Sequence, residues 1–253
     1  MRSPTRLSIV TYNIWLTERW PARAPALERF LTLFTPDVLC VQELQRTTQE
    51  FLDRVLGGYA RVDDPLPGWT NESNIYWNEA LLEEIEHGAE EVGHAEPERR
   101  MFWARLRIKS SQKAIFVATA HLTSPRHGDE RETGVSPRVG QLKTIAEALT
   151  RLVREGEPAF FMGDMNDAWH PQRILMQAGF VSCFAALGMQ SPPTFQCYPT
   201  ARVEPGERTI TEAIDLIVAN KHARALAASV PHCYAEDLAP SDHWPVQAIY
   251  QVQ

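Results

Sequence analysis

Residues 158–167 read PAFFMGDMND, an apolar run that ends at Gly163 and then presents Asp164, Asn166 and Asp167. A buried strand is a rigid platform, so polar groups at its end can hold a metal, a water and a phosphate in fixed relation. The arrangement recurs along the chain. Asn13 follows LSIVTY, Glu43 follows DVLCVQ, His121 follows KAIFVATA, and Asp242-His243 precedes the last apolar segment. One acid at a strand end caps a turn or faces water, but this repetition points to a site assembled from several strand ends. Such oxygen donors suit Mg²⁺, with Mn²⁺ as a substitute, because these ions accept few protein ligands and keep waters. Zinc is disfavoured, since the histidines lack HExxH or another tight ligand spacing.

Asp215 lies inside the apolar segment EAIDLIV. A buried carboxylate is costly unless paired, so it needs a partner. His243 is one candidate: an aspartate that orients a histidine also favours its protonated form, which then donates to a phosphate oxygen. A structural bond to backbone or to an arginine is the alternative. No GxSxG elbow occurs, and the contiguous Ser241-Asp242-His243 does not make a triad by adjacency alone, so a serine hydrolase is disfavoured.

The elements that must position these residues follow from the apolar periodicity. Strands are expected over 7–13, 37–42, 75–77, 80–85, 101–108, 113–122, 159–162, 213–219 and 244–252. The pair 75–77 and 80–85 is expected to turn at Asn78-Glu79. Helices are expected over 23–34, with Leu27, Phe30, Leu31 and Phe34 inward and Pro36 as the stop. A second opens with capping-box spacing at Thr47 and Glu50, buries Phe51, Leu52 and Val55, and ends at Gly57-Gly58. A third runs from an N-cap at Ser136 to about Arg154, and a short one covers 171–177. The stretches 87–100, 124–136 and 191–211 read as loops. Hairpin-like successions of strands, interrupted by helices only in places, argue for two largely antiparallel or mixed sheets with helices outside.

At 253 residues, without a linker-like boundary or repeat, the chain is expected to form one domain. Its net charge of -7 includes no lysine-rich block, which weakens a tight non-specific DNA binder but leaves room for a nuclease whose metal supplies positive charge. The four cysteines form no CxxC pair, and Cys40 reads as a free buried thiol. No segment approaches a membrane span. The expectation is a soluble, cytoplasmic monomer.

TYNIW, QE at Gln42-Glu43, AHL at Ala120 to Leu122, GDMN at Gly163 to Asn166, IDLI at Ile214 to Ile217 and SDHWP at Ser241 to Pro245 occur in one order along the chain. That ordered set resembles the endonuclease/exonuclease/phosphatase superfamily and spans nearly the whole sequence. The resemblance implies an α/β (α+β), four-layered αββα sandwich with its site where strand ends converge. It implies Glu43 as principal magnesium ligand, Asn13 beside it ordering water or phosphate, and Asp242 assisting. Asp164 would align and deprotonate the attacking water, and Asn166 would hold water or substrate. His243, oriented by Asp215, would stabilise the transition state, while His121 would contact phosphate or help the leaving group. Arg138 and Gln141 resemble an RxxQ at a helix start, with Arg138 within reach of phosphate.

The implied reaction is in-line attack of water on a phosphorus atom of a phosphodiester or phosphomonoester, with a nucleic acid, single-stranded in particular, or a nucleotide as substrate. A small-molecule, inositol or lipid phosphatase is the alternative, and a catalytically weakened phosphate-binding module a third. Part of the sequence resembles the tyrosyl-DNA phosphodiesterase 2 branch, but Asp167-Ala168-Trp169 departs from the arginine-bearing continuation found there. Trp15, Trp20, Trp69 and Trp169 are candidates to rim the cleft and stack on a base or sugar.

Overall fold

The computed structural model describes residues 5–195 and 212–252. Cys197 and most of the loop-rich stretch expected over 191–211 lie outside them. Two six-stranded sheets form the body. In spatial order the first holds β11 (Ala223–Ser229), β12 (Val246–Val252), β1 (Thr5–Asn13), β2 (Val38–Gln42), β4 (Ser73–Asn78) and β3 (Tyr59–Arg61). The second holds β5 (Leu82–Glu90), β6 (Met101–Ile108), β7 (Ala114–His121), β8 (Ala159–Asp164), β10 (Asp215–Ala219) and β9 (Val181–Ser182).

Each sheet contains one parallel pair, and these two pairs set the position of the site. β1 runs parallel to β2, with Asn13 level with Gln42; β7 runs parallel to β8, with His121 level with Asp164. Parallel neighbours need a crossover, supplied by α1 (Ala24–Phe34) in the first case and by α4 (Gly128–Thr133) and α5 (Arg138–Leu152) in the second. The carboxyl ends of all four strands therefore carry polar side chains towards the same rim.

Three apolar layers hold the sandwich together. Ile9, Val38, Cys40 and Ile75 from the first sheet meet Phe102, Val117, Phe160 and Ile217 from the second. On the outside of the first sheet, Val10, Tyr12, Leu39 and Val41 pack under Leu27, Phe30 and Leu31 of α1 and Phe51 and Leu52 of α2 (Arg46–Val55). On the outside of the second, Phe116, Ala118 and Phe161 pack under Leu142, Ile145 and Leu149 of α5 and Leu175 of α6 (His170–Gln177). Alternate strand residues point to opposite faces, and because both faces of the central strands are covered they are predominantly apolar until their last residues. The layers are helix, sheet, sheet, helix. No helix among the described residues is long and apolar enough to cross a membrane.

Several local expectations are corrected. β4 and β5 are not a hairpin: the turn after Asn78 carries the chain from one sheet to the other. Residues 87–90, expected in a loop, extend β5 because they pair with β6 out to Glu90↔Met101. The capping box of α2 is built from Gln45 and Thr48 rather than Thr47 and Glu50. Pro137, not Ser136, occupies the N-cap of α5, and α4 interrupts the loop expected before it. The short β3, α3 (Gly68–Asn71), α7 (Cys183–Ala186) and the edge strand β11 carry too little apolar periodicity to be read from sequence. Cys40, Cys183 and Cys233 are free and buried.

Candidate active site

β8 lies between β7 and β10, and its last residue, Asp164, is level with His121 on one side and Asp215 on the other. Three polar side chains thus stand in a row across neighbouring strands. Gly163, directly before Asp164, has φ +142, and a Cβ there would collide with the Ala120 carbonyl oxygen of β7. Only glycine lets the chain pass that close while delivering the aspartate. Asn166 and Glu43 adopt left-handed backbone conformations, with φ of 49 and 56, a strain non-glycine residues tolerate when the surroundings impose it.

Asp164 is fully buried, and its Oδ2 is the focus of the site. The Asn13 amide donates to it at 3.0 Å, His121 Nε2 lies at 3.4 Å and His243 Nε2 at 3.6 Å. Its other oxygen accepts the backbone N–H of Asn166 at 2.8 Å. Asn13 also donates to Glu43 Oε1 at 3.2 Å, while its side-chain Oδ1 accepts Trp15 N–H at 3.0 Å. Asn166 donates from its side chain to the Leu122 carbonyl at 3.0 Å, which ties the loop after β8 to the end of β7.

Each histidine is held by its own carboxylate. His243 Nδ1 and Asp215 Oδ2 are 2.8 Å apart, with the Phe195 ring 4.7 Å from the imidazole, centroid to centroid. Burial disfavours the charged ring, but Asp215 and Asp164 overcome that cost and push the pKa of His243 up to about 10, so it is protonated at neutral pH. His121 Nδ1 meets Glu72 Oε1 at 2.8 Å. Burial again opposes charge; Asp164 and Glu72 raise the pKa, and Arg99, 3.2 Å from Nε2, opposes them less strongly. Glu72 in turn is held below the usual carboxylate range: burial raises it, and the charges of His121 and Arg99 more than offset that.

Carboxylates crowd the remaining side. Burial first, then the negative charges of Glu43 and Asp164, push Asp242 up to about 6, and His243 only partly compensates. A hard divalent cation beside Glu43 and Asp242 would relieve this repulsion, and oxygen donors match the preference of Mg²⁺ or Mn²⁺. Ligand atoms of Asp164, Asp215 and His243 also lie within 4.8 Å of one another, a spacing that admits a metal. That set would draw a nitrogen from His243, whose Nδ1 is already engaged by Asp215, whereas Glu43 and Asp242 offer oxygen alone, so the Glu43 side is the better fit for a hard cation.

Buried polar clamps hold the contributing loops together. Gln42 donates to Thr119 Oγ1 at 2.9 Å and accepts from Thr11 Oγ1 at 3.2 Å, bridging the two sheets just below the site. Ser241 Oγ donates to the Asn13 carbonyl at 2.7 Å and accepts His243 N–H at 3.2 Å. Arg23, with 0% exposure, donates to the carbonyls of Ile14, Trp15, Glu18 and Pro240, and it lies over the rings of Trp15 and Trp20. It therefore ties the loop after Asn13 to the loop before Asp242. Arg23→Ala is expected to destabilise the fold by roughly 3 kcal/mol, because the two fully buried acceptors, the carbonyls of Ile14 and Pro240, each cost about 1–3 kcal/mol when left unpaired. Urea denaturation checks this as a lowered midpoint at unchanged slope; a loss under about 1 kcal/mol would contradict the clamp.

The remaining expected residues are placed differently. Arg138 is buried at the start of α5 and bonds Glu130 through both terminal nitrogens at 2.7 and 2.8 Å, and the Thr123 carbonyl at 2.9 Å. Its terminal nitrogens are thus occupied within the loop after β7. The Gln141 side chain accepts the Thr123 N–H at 3.2 Å and donates to Thr123 Oγ1 at 2.7 Å. Trp69 does not rim the cleft: at 1% exposure it is core, edge-on to His87 and against Phe102. Trp15 and Trp20 are partly covered by Arg23, whereas Trp169 is 84% exposed. Glu72 and Arg99 are members of the site that sequence reading missed. Glu72 precedes β4 and Arg99 sits in a charged stretch read as solvated, so neither carried a signal; their partner lies 49 and 22 residues away.

Residues 10–243 match the model of the Endonuclease/Exonuclease/phosphatase family. No curated protein matches the chain. Among solved structures, a family protein from Bacteroides thetaiotaomicron is similar with TM-score 0.78 at 16% identity, over 99% of each chain. D. rerio TDP2, solved with a single-strand DNA product, is similar with TM-score 0.76 at 19% identity, over 97% of this chain and 99% of that one. A Bacteroides thetaiotaomicron mannosyl-6-phosphatase is similar with TM-score 0.76 at 17% identity, over 96% and 99%. At these identities the structural likeness speaks for the fold.

Proposed function

The chain belongs to the endonuclease/exonuclease/phosphatase family, whose members hydrolyse phosphoester bonds, and from that premise we propose that it is a divalent-metal-dependent phosphoesterase acting through an activated water. The observation that carries this reading is the convergence of Asn13, His121 and His243 on one buried oxygen of Asp164, at 3.0, 3.4 and 3.6 Å. A carboxylate so placed accepts the proton of an attacking water, and Asn13 and Asn166 fix its orientation. His243, protonated and braced by Asp215, donates to a non-bridging oxygen as negative charge develops on the phosphoryl group. As the ester P–O bond breaks, His121, held by Glu72, supplies a proton to the departing oxygen. A Mg²⁺ ion held by Glu43 and Asp242, with Asn13 nearby, would add charge stabilisation at the phosphate.

The proposed substrate is a nucleotide or a short single-stranded nucleic acid, a reading supported by the likeness to a protein solved with a single-strand DNA product. The likeness to a mannosyl-6-phosphatase supports the second reading, a small phosphomonoester. Release of p-nitrophenolate from bis-p-nitrophenyl phosphate, lost on chelation and restored by Mg²⁺, is the expected result. Release that survives chelation unchanged, or that never occurs, would sink the metal-dependent or the phosphoesterase reading respectively.

A further inference from the structure

A cavity of about 710 Å³ is lined by the segments that follow β8 and precede β10, with Trp169, Phe184, Met189 and Pro193 among its lining residues. Its walls continue directly into the site. Ala213, in the lining, is two residues before Asp215; Pro193 precedes Thr194, whose hydroxyl accepts the backbone N–H of Asp215 at 3.1 Å; Phe195, next along, packs on His243. The turn after Asp164 supplies further lining, Ala168 and Trp169. There the side chain of Asp167 accepts the N–H groups of Trp169 at 2.8 Å and His170 at 3.0 Å, so the backbone that presents Trp169 is fixed while its indole stands 84% exposed.

Charge decides what this space accepts. The described lining residues include no lysine, arginine or histidine, and the one acid among them is Glu212. Among the described lining residues a second phosphate or a polyanionic backbone would find no counter-charge and would meet the Glu212 carboxylate. An uncharged ring would instead cover Trp169 and Met189, which stand 84% and 50% exposed over the buried Phe184, and large apolar side chains left open to water in a concave surface mark a ligand surface. A volume of this size suits a small organic group.

We propose that this cavity receives an aromatic group of the substrate, attached through the scissile phosphoester, and that Trp169 stacks on it. The proposal rests on the phosphoesterase reading and names the part of the substrate that this site selects. The test uses a matched pair of phosphate esters, benzyl and methyl, whose alcohols leave with similar ease, and follows product in the wild type, Trp169→Ala and Trp169→Phe. The expected result is a preference for the benzyl ester of about tenfold or more in kcat/KM, which falls towards equality in Trp169→Ala and is largely kept in Trp169→Phe. No preference in the wild type, or one that Trp169→Ala leaves intact, would overturn the proposal while leaving the phosphoesterase reading in place. Cleavage of neither ester by protein that does hydrolyse bis-p-nitrophenyl phosphate would overturn the proposal alone, whereas failure on all three substrates would overturn that reading and the proposal with it. Because Trp169 is so exposed, its replacement leaves no buried cavity, and the variant is expected to fold.

Discussion

Asp164→Asn is expected to lower kcat towards bis-p-nitrophenyl phosphate by about 10²- to 10⁴-fold, the usual contribution of a positioned general base. Asparagine keeps the shape of the side chain and one acceptor for the Asn166 N–H, but its amide has no basic oxygen to take a proton from water. The fold should survive, since the change removes one negative charge from a crowded set and leaves the Gly163 turn untouched. Circular dichroism and the thermal midpoint would confirm that, and steady-state kinetics at saturating Mg²⁺ would measure the loss. If the variant kept kcat within a factor of about ten, Asp164 would not be the group that activates water.

Asp215→Asn tests the other half of the chemistry, the protonated histidine. In the wild type, burial works against the charged imidazole of His243, and Asp215 and Asp164 outweigh it, so the ring carries its proton up to about pH 10. Because the folded pKa is raised, the protonated form is complete at neutral pH and is lost only as pH rises through that value. Without the Asp215 charge, burial is opposed mainly by Asp164, and the titration of His243 is expected to move down, towards or below the ordinary histidine range. At pH 7 the donor is then depleted, and kcat should fall by roughly 10²- to 10³-fold, as when an oxyanion donor is removed. The alkaline limb of the pH–kcat profile should shift to lower pH with it. Imidazole ¹⁵N chemical shifts across a pH series, on protein kept free of metal, read the titration directly. A His243 that stayed protonated at pH 9 in Asp215→Asn would show that the pair does not work in this way.

Glu72 and His121 form a second carboxylate–histidine pair on the far side of Asp164, and the two pairs differ in how visible they were beforehand. Asp215 and His243 each sat in a sequence context that called for explanation: an acid within EAIDLIV and a histidine just before an apolar strand. Glu72 and Arg99 had no such context. A glutamate before a short strand and an arginine in a charged stretch look like solvated surface, and only the approach of β4 and the 94–100 segment to the end of β7 makes them partners of His121.

The architecture follows the same division. Central strands such as VLCVQ and AFFMGD are apolar up to their last residues because both of their faces are covered, so their existence and the residues at their ends could be read in advance. Pairing could not. Asn78-Glu79 looks like a hairpin turn, yet it passes the chain between sheets, because strand order depends on which apolar faces meet in three dimensions. Edge strands such as β11, half exposed and alanine-rich, bury too little to mark themselves.

The sequence by itself determined which polar side chains sit at the ends of buried strands and therefore the class of chemistry: Asn13, Glu43, His121, Asp164 and His243 are placed by local periodicity, and their types suit a cation and a phosphate. Tertiary structure alone decided what those groups are to one another. The register that sets His121, Asp164 and Asp215 level across three strands, the clamp of Arg23 between two loops, and the withdrawal of Trp69 into the core while Trp169 remains outside all arise from contacts between distant segments. Strand-end identity is a local property, encoded every second residue. Proximity, and with it the protonation of a buried histidine, depends on the field of every charge that folding brings near.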